Sequence, residues 1–240
     1  DTWALNTTIR PPQRSRPYWP RRDAVMRLLR DGTSLVASGL SQRVSYNLGK
    51  KTLVLGETTL SRIYDCADSE SRELGLRAAF NAVKGGRLVV LPTDTLYGLG
   101  CDAFDNDAVN RLLAAKNRGP NMPVPVLVGS WDTIQGLVAE YSPQARALVE
   151  ALWPGGLSIV IRQAPSLPWN LGDTRGTVML RMPLHPVAIE LLRETGPMAV
   201  SSANISGQPP ATTAEDAKNQ LGSAVNVYLD GGECAVGTAS

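Results

Sequence analysis

Apolar and polar positions follow helix and strand periodicities along the chain from about residue 69 onward. Residues 71–84 carry a broad apolar face and stop at two glycines, which predicts a helix, and the apolar run 87–91 predicts a buried strand. Further helices are predicted at 107–116, 131–138, 143–152, 185–195 and 213–221, and further strands at 124–128, 157–161, 177–181, 198–200 and 225–229. This order predicts an α/β sheet layered with helices. The short gap between the strands near 160 and 180 indicates some antiparallel pairing.

Residues 1–62 differ from the rest of the chain. The segment 10–22 alternates arginine with proline, which cannot continue a helix and offers little apolar surface to bury. We therefore predict an irregular Arg/Pro-rich N-terminal extension over 1–62, with a short helical pattern at 23–30 and a strand at 51–55. A single domain is predicted over 70–240.

The composition suits a globular protein that can bury a real core, because 43% of the 240 residues are hydrophobic. A net charge of +2 is too small to argue by itself for nucleic acid. Three dispersed cysteines and one histidine support neither a disulfide framework nor a metal site. We expect a reducing, cytoplasmic location, and no apolar stretch approaches the roughly 20 residues that would span a membrane.

Polar side chains follow three of the predicted strands. Thr93, Asp94 and Thr95 come after the strand 87–91, and Arg181 closes the strand 177–181. The run 201–207, Ser-Ser-Ala-Asn-Ile-Ser-Gly, follows the strand 198–200. Such residues can simply close turns and cap helices. They can also form a binding site, because ligands of α/β sheets commonly sit beyond strand ends.

Lys116 and Arg118 lie two residues apart at a predicted helix end. The helix dipole favours cations there, and two cations on a turn can also hold a polyphosphate. The chain has neither a GxxxxGK[ST] nor a GxGxxG motif, so a nucleotide site would be of another kind. His185 lacks a plausible acidic or cysteine partner and is given no catalytic role. The chemistry that these residues favour is positioning and electrostatic stabilisation of phosphates, without a covalent nucleophile.

Five blocks in this order and spacing resemble the YrdC-like family of threonylcarbamoyl-AMP synthases over about residues 70–240. The blocks are PTDTLYGLG (92–100), KNR (116–118), WPGGLSIVI (153–161), RMPLHP (181–186) and SSANISG (201–207). The resemblance implies a twisted mixed α/β sheet with flanking helices and a basic concave cavity. It implies the synthesis of L-threonylcarbamoyladenylate and diphosphate from L-threonine, bicarbonate and ATP, for threonylcarbamoyl modification of tRNA adenosine.

The resemblance also assigns candidate site residues. The catalytic signature of the family matches Lys116, Arg118, Ser202 and Asn204. Contacts to threonine or nucleotide are expected from Thr93, Thr95, Ser158, Arg181 and Ser206. Mg²⁺ is expected to arrive with ATP, and no protein metal site is predicted. Proteins that transfer the threonylcarbamoyl group to tRNA are the expected downstream partners.

The chain departs from the family pattern at three places. Gly119 replaces a usual proline, and Leu127 replaces a histidine that contacts threonine in many members. The third is an expected C-terminal truncation, because members continue beyond the position of Ser240. The alternative to the synthase is a non-catalytic module of the same fold that binds double-stranded RNA or tRNA. Aromatic residues make up only 5% of the chain, which disfavours stacking on single-stranded RNA.

Overall fold

The computed structural model of the protein describes residues 42–47, 52–57, 61–119 and 121–238. The chain divides into two compact units, Asp1–Thr58 and Thr59–Ser240. In the first unit, β1 (Gln42–Asn47) and β2 (Thr52–Glu57) pair antiparallel. Strand β2 overlaps the strand predicted at 51–55. The helix predicted at 23–30 and the Arg/Pro-rich segment lie outside the described residues.

The second unit contains one mixed sheet with helices on both faces. Its strands are β3 (Arg62–Asp65), β4 (Val89–Leu91), β5 (Gly98–Asp102), β6 (Val126–Leu127), β7 (Ile159–Arg162), β8 (Thr177–Arg181), β9 (Met198–Ser202) and β10 (Val227–Asp230). Its helices are α1 (Ser69–Lys84), α2 (Asn106–Ala115), α3 (Thr133–Leu137), α4 (Pro143–Leu152), α5 (Pro186–Thr195) and α6 (Ala214–Leu221), with a 3₁₀ turn at Gly222–Ala224. The eight strands lie in the order β3-β10-β4-β5-β9-β6-β8-β7.

Both parallel and antiparallel pairs occur in this sheet. Strand β10 runs parallel to β3 and β4, and β6 runs parallel to β8. The other pairs are antiparallel, including β7 with β8, as the short gap between them indicated. The predicted class, a mixed α/β sheet with flanking helices, is therefore confirmed. Within the described ranges, no helix is both long and apolar enough to cross a membrane.

Local capping explains where the helices begin. The Asp68 carboxylate accepts from the backbone N–H of Ser71 at 2.7 Å at the start of α1. The Asp105 carboxylate accepts from the N–H of Ala108 at 2.9 Å at the start of α2. Each satisfies a backbone donor that the first helical turn leaves without a partner. These short polar side chains thus fix the N-terminal ends of α1 and α2.

Strand β5 is the main difference from the sequence-based expectation, which treated 92–100 as a loop. Its sequence Gly98-Leu-Gly-Cys-Asp102 contains two glycines, which weaken a strand pattern. Tertiary pairing with β4 and β9 on either side nevertheless holds it in the sheet. Strand β3 was also missed, because only two of its four residues are even partly buried.

The two faces of the sheet are covered unequally. On one face, apolar side chains such as Leu99, Val126 and Leu180 pack with residues of α2, α3, α4 and α6. On the other, Leu91, Val200 and their neighbours pack with α1 and α5. Towards the β7 edge this second face is left partly open, since Val160 is 63% exposed and its direct cross-strand partner Met179 is 39% exposed. The open part of this face holds the candidate site.

Candidate active site

A cavity of about 270 Å³ lies where loops and strand ends from six parts of the chain meet. It brings together the loop after β4, the segment after α2, and residues of β6, β8 and β9 with the loop before β7. Its lining residues are Thr93, Thr95, Leu96, Tyr97, Gly98, Arg118, Pro123, Pro125, Leu127, Ser158, Met179, Arg181, Val200, Ser201 and Ser202. Two cations, several hydroxyl groups and an apolar floor therefore share one space.

Glycines in β5 help to leave this space empty. Gly98 pairs with Ser202 and Gly100 with Val200, and directly paired residues present their side chains to the same face. A Cβ atom on Gly98 would lie 2.6 Å from Cγ1 of Val200. The second glycine is similarly crowded, so neither Gly98 nor Gly100 fills this face next to the cavity. The cavity thus depends on a close approach between the β5 backbone and the Val200 side chain, which only glycine allows.

Lys116 is buried behind the cavity wall, with 2% of its surface exposed. Its Nζ donates to the backbone oxygen of Ser202, to the backbone oxygen of Asn204 at 2.6 Å and to the Asn204 side-chain oxygen at 3.3 Å. No carboxylate pairs with it among the described residues. Burial, helped by the nearby charge of Arg118, lowers the pKa of Lys116 to about 8. Among the described residues, the ammonium therefore holds the loop after β9 through hydrogen bonds to neutral oxygen atoms, without an ion pair.

Arg118 projects into the cavity from the same turn. Between the two cations, Asn117 adopts a left-handed conformation with φ of 53°, which asparagine tolerates better than most residues. The Arg118 Nη1 donates to the Ser201 hydroxyl at 3.3 Å, and its buried Nε has no hydrogen-bond partner within the described chain. Burial lowers the pKa of Arg118. A guanidinium with unused donors in a polar cavity is suited to an anionic ligand.

The loop after β9 divides its polar groups between the cavity and itself. The Ser202 hydroxyl lines the cavity and has no hydrogen-bond partner in the part of the chain that the structure describes. The Asn204 amide instead donates to the backbone oxygens of Ile205 at 3.1 Å and Gln208 at 2.8 Å. Ser206 is exposed, and its backbone N–H donates to the Lys116 carbonyl at 3.1 Å. At the start of the loop, Ser202 thus offers its hydroxyl to a ligand in the cavity.

Thr93 and Thr95 have different roles in the loop after β4. The Thr93 hydroxyl contacts four groups, donating to the Leu96 carbonyl at 2.6 Å and accepting from the N–H groups of Thr95 and Leu96 at 3.2 Å. Its hydrogen-bonding capacity is spent on the turn. The Thr95 hydroxyl accepts from Arg181 Nη1 at 2.8 Å. Thr93 therefore shapes the loop, while Thr95 joins it to the end of β8.

Arg181 is 5% exposed and connects three segments at the cavity wall. Besides its bond to Thr95, its Nη2 donates to Asp94 Oδ1 at 2.6 Å and its Nε to the Gly155 carbonyl at 2.9 Å. Burial lowers the pKa of the guanidinium, and the facing Asp94 carboxylate opposes this effect. Because no acid lines the cavity beside Arg118 and Arg181, its lining is cationic.

A second cavity, of about 530 Å³, lies on the other side of the loop after β4. Thr93 lines both cavities, so the loop separates them. Asp94, His185 and Cys234 line the second one. Burial lowers the pKa of His185 and raises that of the Cys234 thiol, so both groups favour their neutral forms.

Carboxylates are sparse around the site. Among residues 61–119 and 121–238, no group of three or more His, Cys, Asp or Glu side chains could hold a metal ion. The nearest acid, Asp94, is engaged with Arg181. A divalent cation at this site would therefore have to be held largely by ligand phosphates and water, both of which are common Mg²⁺ ligands.

The structure brings most of the candidate residues together. Those that line the cavity are Thr93, Thr95, Arg118, Ser158, Arg181 and Ser202. Lys116 and Asn204 lie behind its wall and Ser206 lies outside it. Ser201, which contacts Arg118, was missed, although it opens the same polar run. The binding contacts expected of all these residues remain predictions.

The larger part of this chain matches a known protein family. The model for Sua5/YciO/YrdC, described as "Telomere recombination", matches residues 81–240. The "Putative threonylcarbamoyl-AMP synthase" of Mycobacterium tuberculosis strain H37Rv is 64% identical over 173 residues, which cover 72% of this chain and 80% of that protein. The threonylcarbamoyl-AMP synthase of Pyrococcus abyssi is 34% identical over 169 residues, 70% of this chain and 50% of that protein.

A solved structure agrees with these sequence matches. The crystal structure of P. abyssi Sua5 complexed with L-threonine superposes with a TM-score of 0.70 at 32% identity. The match covers 76% of this chain and 53% of the other. The present chain thus spans about half the length of that archaeal protein.

Proposed function

Because this chain belongs to the Sua5/YciO/YrdC family, we propose that it makes L-threonylcarbamoyladenylate and diphosphate from L-threonine, bicarbonate and ATP. The observation that carries the proposal is the joint lining of one cavity by Arg118, Arg181 and the free hydroxyl of Ser202. Phosphate needs the cations, and an amino acid or its carbamate needs hydroxyl partners. The relatives named for this activity support the assignment.

The reaction moves an AMP group onto a carbamate oxygen and releases diphosphate. Negative charge builds on the phosphate oxygens as the bond to the leaving diphosphate breaks, and fixed cations stabilise it. Arg118 has donors to spare for this purpose. Arg181 is held in place by Asp94 and Gly155, so its guanidinium needs little reorganisation. Mg²⁺, carried in on ATP, would supply further neutralisation.

The amino acid is expected to lie beside the hydroxyl groups. Ser202 and Ser158 are positioned to orient polar groups of threonine or its carbamate, and neither must act as a nucleophile. The apolar floor formed by Leu127, Met179 and Val200 would limit water around the labile carbamate. The P. abyssi structure that contains L-threonine supports this substrate. We place the reaction in the cytoplasm and its product with proteins that modify tRNA adenosine.

The alternative, a non-catalytic RNA-binding module, is less compatible with the cavity. Arg118 and Arg181 face a space of about 270 Å³, close to the lower end of the range of about 300–1,000 Å³ that holds small ligands. Phosphates of a duplex would need cations spread over an exposed surface instead. The site therefore favours a small anionic substrate.

A three-substrate assay tests the proposal. Purified protein should release diphosphate only when ATP, L-threonine and bicarbonate are all present. Each pair of substrates serves as a control, and product identity is checked by mass spectrometry. Diphosphate release that does not depend on threonine would contradict the synthase. Absence of diphosphate release together with tight binding of tRNA would favour the alternative.

A further inference from the structure

Asp94 joins two segments of the chain through a single carboxylate oxygen. Its Oδ1 accepts from Arg181 Nη2 at 2.6 Å and from the backbone N–H of Leu184 at 2.8 Å. The ion pair is well shielded, with 6% of the Arg181 side chain and 17% of the Asp94 side chain exposed. Low exposure strengthens such a pair relative to a surface one. The carboxylate thus fixes both the end of β8 and the turn that follows it.

Arg181 passes this constraint on to the cavity. Its other two hydrogen bonds reach Thr95 and Gly155, so the guanidinium is fixed from three directions. An arginine side chain has five N–H donors, and two of these have no partner within the described residues. Arg181 lines the substrate cavity, whereas Asp94 lines the second cavity behind the loop. The acid therefore acts on the substrate cavity from outside it.

We propose that Asp94 is a positioning residue for this reaction: it touches no substrate, and it orients Arg181 towards the phosphates of ATP. The inference rests on the proposed function. Holding the guanidinium in one orientation before ATP binds lowers the reorganisation that the transition state requires. It also offsets part of the positive charge that Arg181 would otherwise present to an anionic ligand.

Removing the charge of Asp94 should separate binding from turnover. In Asp94→Asn the amide oxygen can still accept from Leu184, so the turn is kept. The guanidinium, no longer held by a carboxylate, is freer to follow bound phosphates. ATP should then bind as tightly as before or more tightly, while the turnover number falls. A purely structural role predicts the opposite pattern, namely weaker binding or fewer competent sites.

The experiment compares Asp94→Asn with Asp102→Asn. Asp102 has a similarly shielded side chain, 21% exposed, and pairs with Lys84 at 3.7 Å away from the cavity. Calorimetric titration with ATP and Mg²⁺ gives both the affinity and the number of binding sites, and diphosphate release is expressed per site. We expect Asp94→Asn to lose about tenfold in turnover with unchanged stoichiometry and an affinity no weaker than that of the unmodified protein. Asp102→Asn should match the unmodified protein in both.

A double-mutant cycle tests whether Asp94 acts through Arg181. In an Arg181→Gln background the further change Asp94→Asn should alter turnover less than twofold, since the group it positions is gone. If Asp94→Asn lowered turnover equally with Arg181 and with Gln at that position, the proposal would be overturned. Normal turnover in Asp94→Asn, or weakened ATP binding, would also overturn it. Failure of the unmodified protein to release diphosphate would instead count against the proposed function, so the two failures are distinguishable.

Discussion

The Lys116 ammonium donates to both the backbone and the side-chain oxygen of Asn204, at 2.6 and 3.3 Å. Two residues that the family resemblance places together in a catalytic signature are thus bonded to each other behind the cavity wall. The lysine satisfies oxygens of the loop, and the loop in turn presents the Ser202 hydroxyl. The contact between Lys116 and Asn204 therefore holds this loop in place.

The first prediction concerns the titration of Lys116. Burial and the charge of Arg118 lower its pKa from 10.5 to about 8. In protein labelled with ¹³C-lysine, one Cε resonance should therefore titrate near pH 8. A Lys116→Met variant assigns that signal by its loss, and Arg118→Met should raise its midpoint by removing the like charge. A lysine signal at this site with an ordinary midpoint would show that the ammonium is better solvated than its burial implies.

The same shift affects stability with a definite sign. Between pH 8 and 10.5 the unfolded chain keeps a proton on this lysine that the folded chain releases. The contribution of Lys116 to the free energy of unfolding therefore increases as the pH rises through that window. Urea denaturation of the unmodified protein and Lys116→Met at pH 7.5 and 9.5 isolates this contribution. If the free energy of unfolding of the unmodified protein, relative to that of Lys116→Met, fell from pH 7.5 to 9.5, the lowered pKa of Lys116 would be contradicted.

The second prediction concerns Arg118. Replacing it by alanine removes unused donors from the cavity, and loss of one such donor typically costs about 100-fold or more in turnover. The matched control is Arg111→Ala on α2, whose guanidinium contacts the Gly86 carbonyl and Asp105 rather than the cavity. Diphosphate release measured on both variants should separate them by at least tenfold. Equal rates would remove Arg118 from the site.

The third prediction separates two adjacent serines. The Ser202 hydroxyl is without a partner among the described residues, whereas the Ser201 hydroxyl accepts from Arg118 at 3.3 Å. Ser202→Ala should therefore lower kcat/KM strongly through lost substrate contacts. Ser201→Ala should lower it by only about tenfold, because its bond to Arg118 is long and should contribute no more than the lower end of the about 1.5–3 kcal/mol typical of charge-assisted bonds. The exposed Ser223→Ala is the control, and a larger loss for Ser201 than for Ser202 would reverse this order.

The fourth prediction concerns cavity volume. In Gly98→Ala the new methyl group meets Cγ1 of Val200 at 2.6 Å, so neighbouring groups must shift. We expect a loss of about 1–3 kcal/mol in the free energy of unfolding, as for overpacking generally, together with weaker substrate binding. Adding Val200→Ala should restore part of both. Gly136→Ala, at a position with nothing within 4 Å, should leave both unchanged or raise stability slightly.

The sequence alone identified most of the helices and strands because their apolar periodicity is strong. It failed at β5, where Gly98 and Gly100 resemble a loop until two neighbouring strands are known. The alternation in β5 is also hidden, because two of its three positions on one face are glycines. Such a strand is stabilised by partners distant in sequence, which local propensity does not contain.

The sequence named candidate residues for the site, but it did not indicate what their side chains would contact. Lys116, Asn204 and Arg181, which motif resemblance named as catalytic or substrate-binding candidates, lie in or beside the cavity wall, and those roles stay predictions. The resemblance could not indicate that Lys116 would donate to carbonyl oxygens of the loop after β9, or that Asp94 would form an ion pair with Arg181. Those relationships depend on segments about 90 residues apart meeting at defined distances.

The end of α2 is attached to two sides of the same cavity. The Lys116 side chain and carbonyl hold the loop after β9, while Arg118, two residues later, lines the cavity directly. The left-handed Asn117 sets a fixed angle between them. A small displacement of α2 along its axis would therefore move the loop and the cavity cation together.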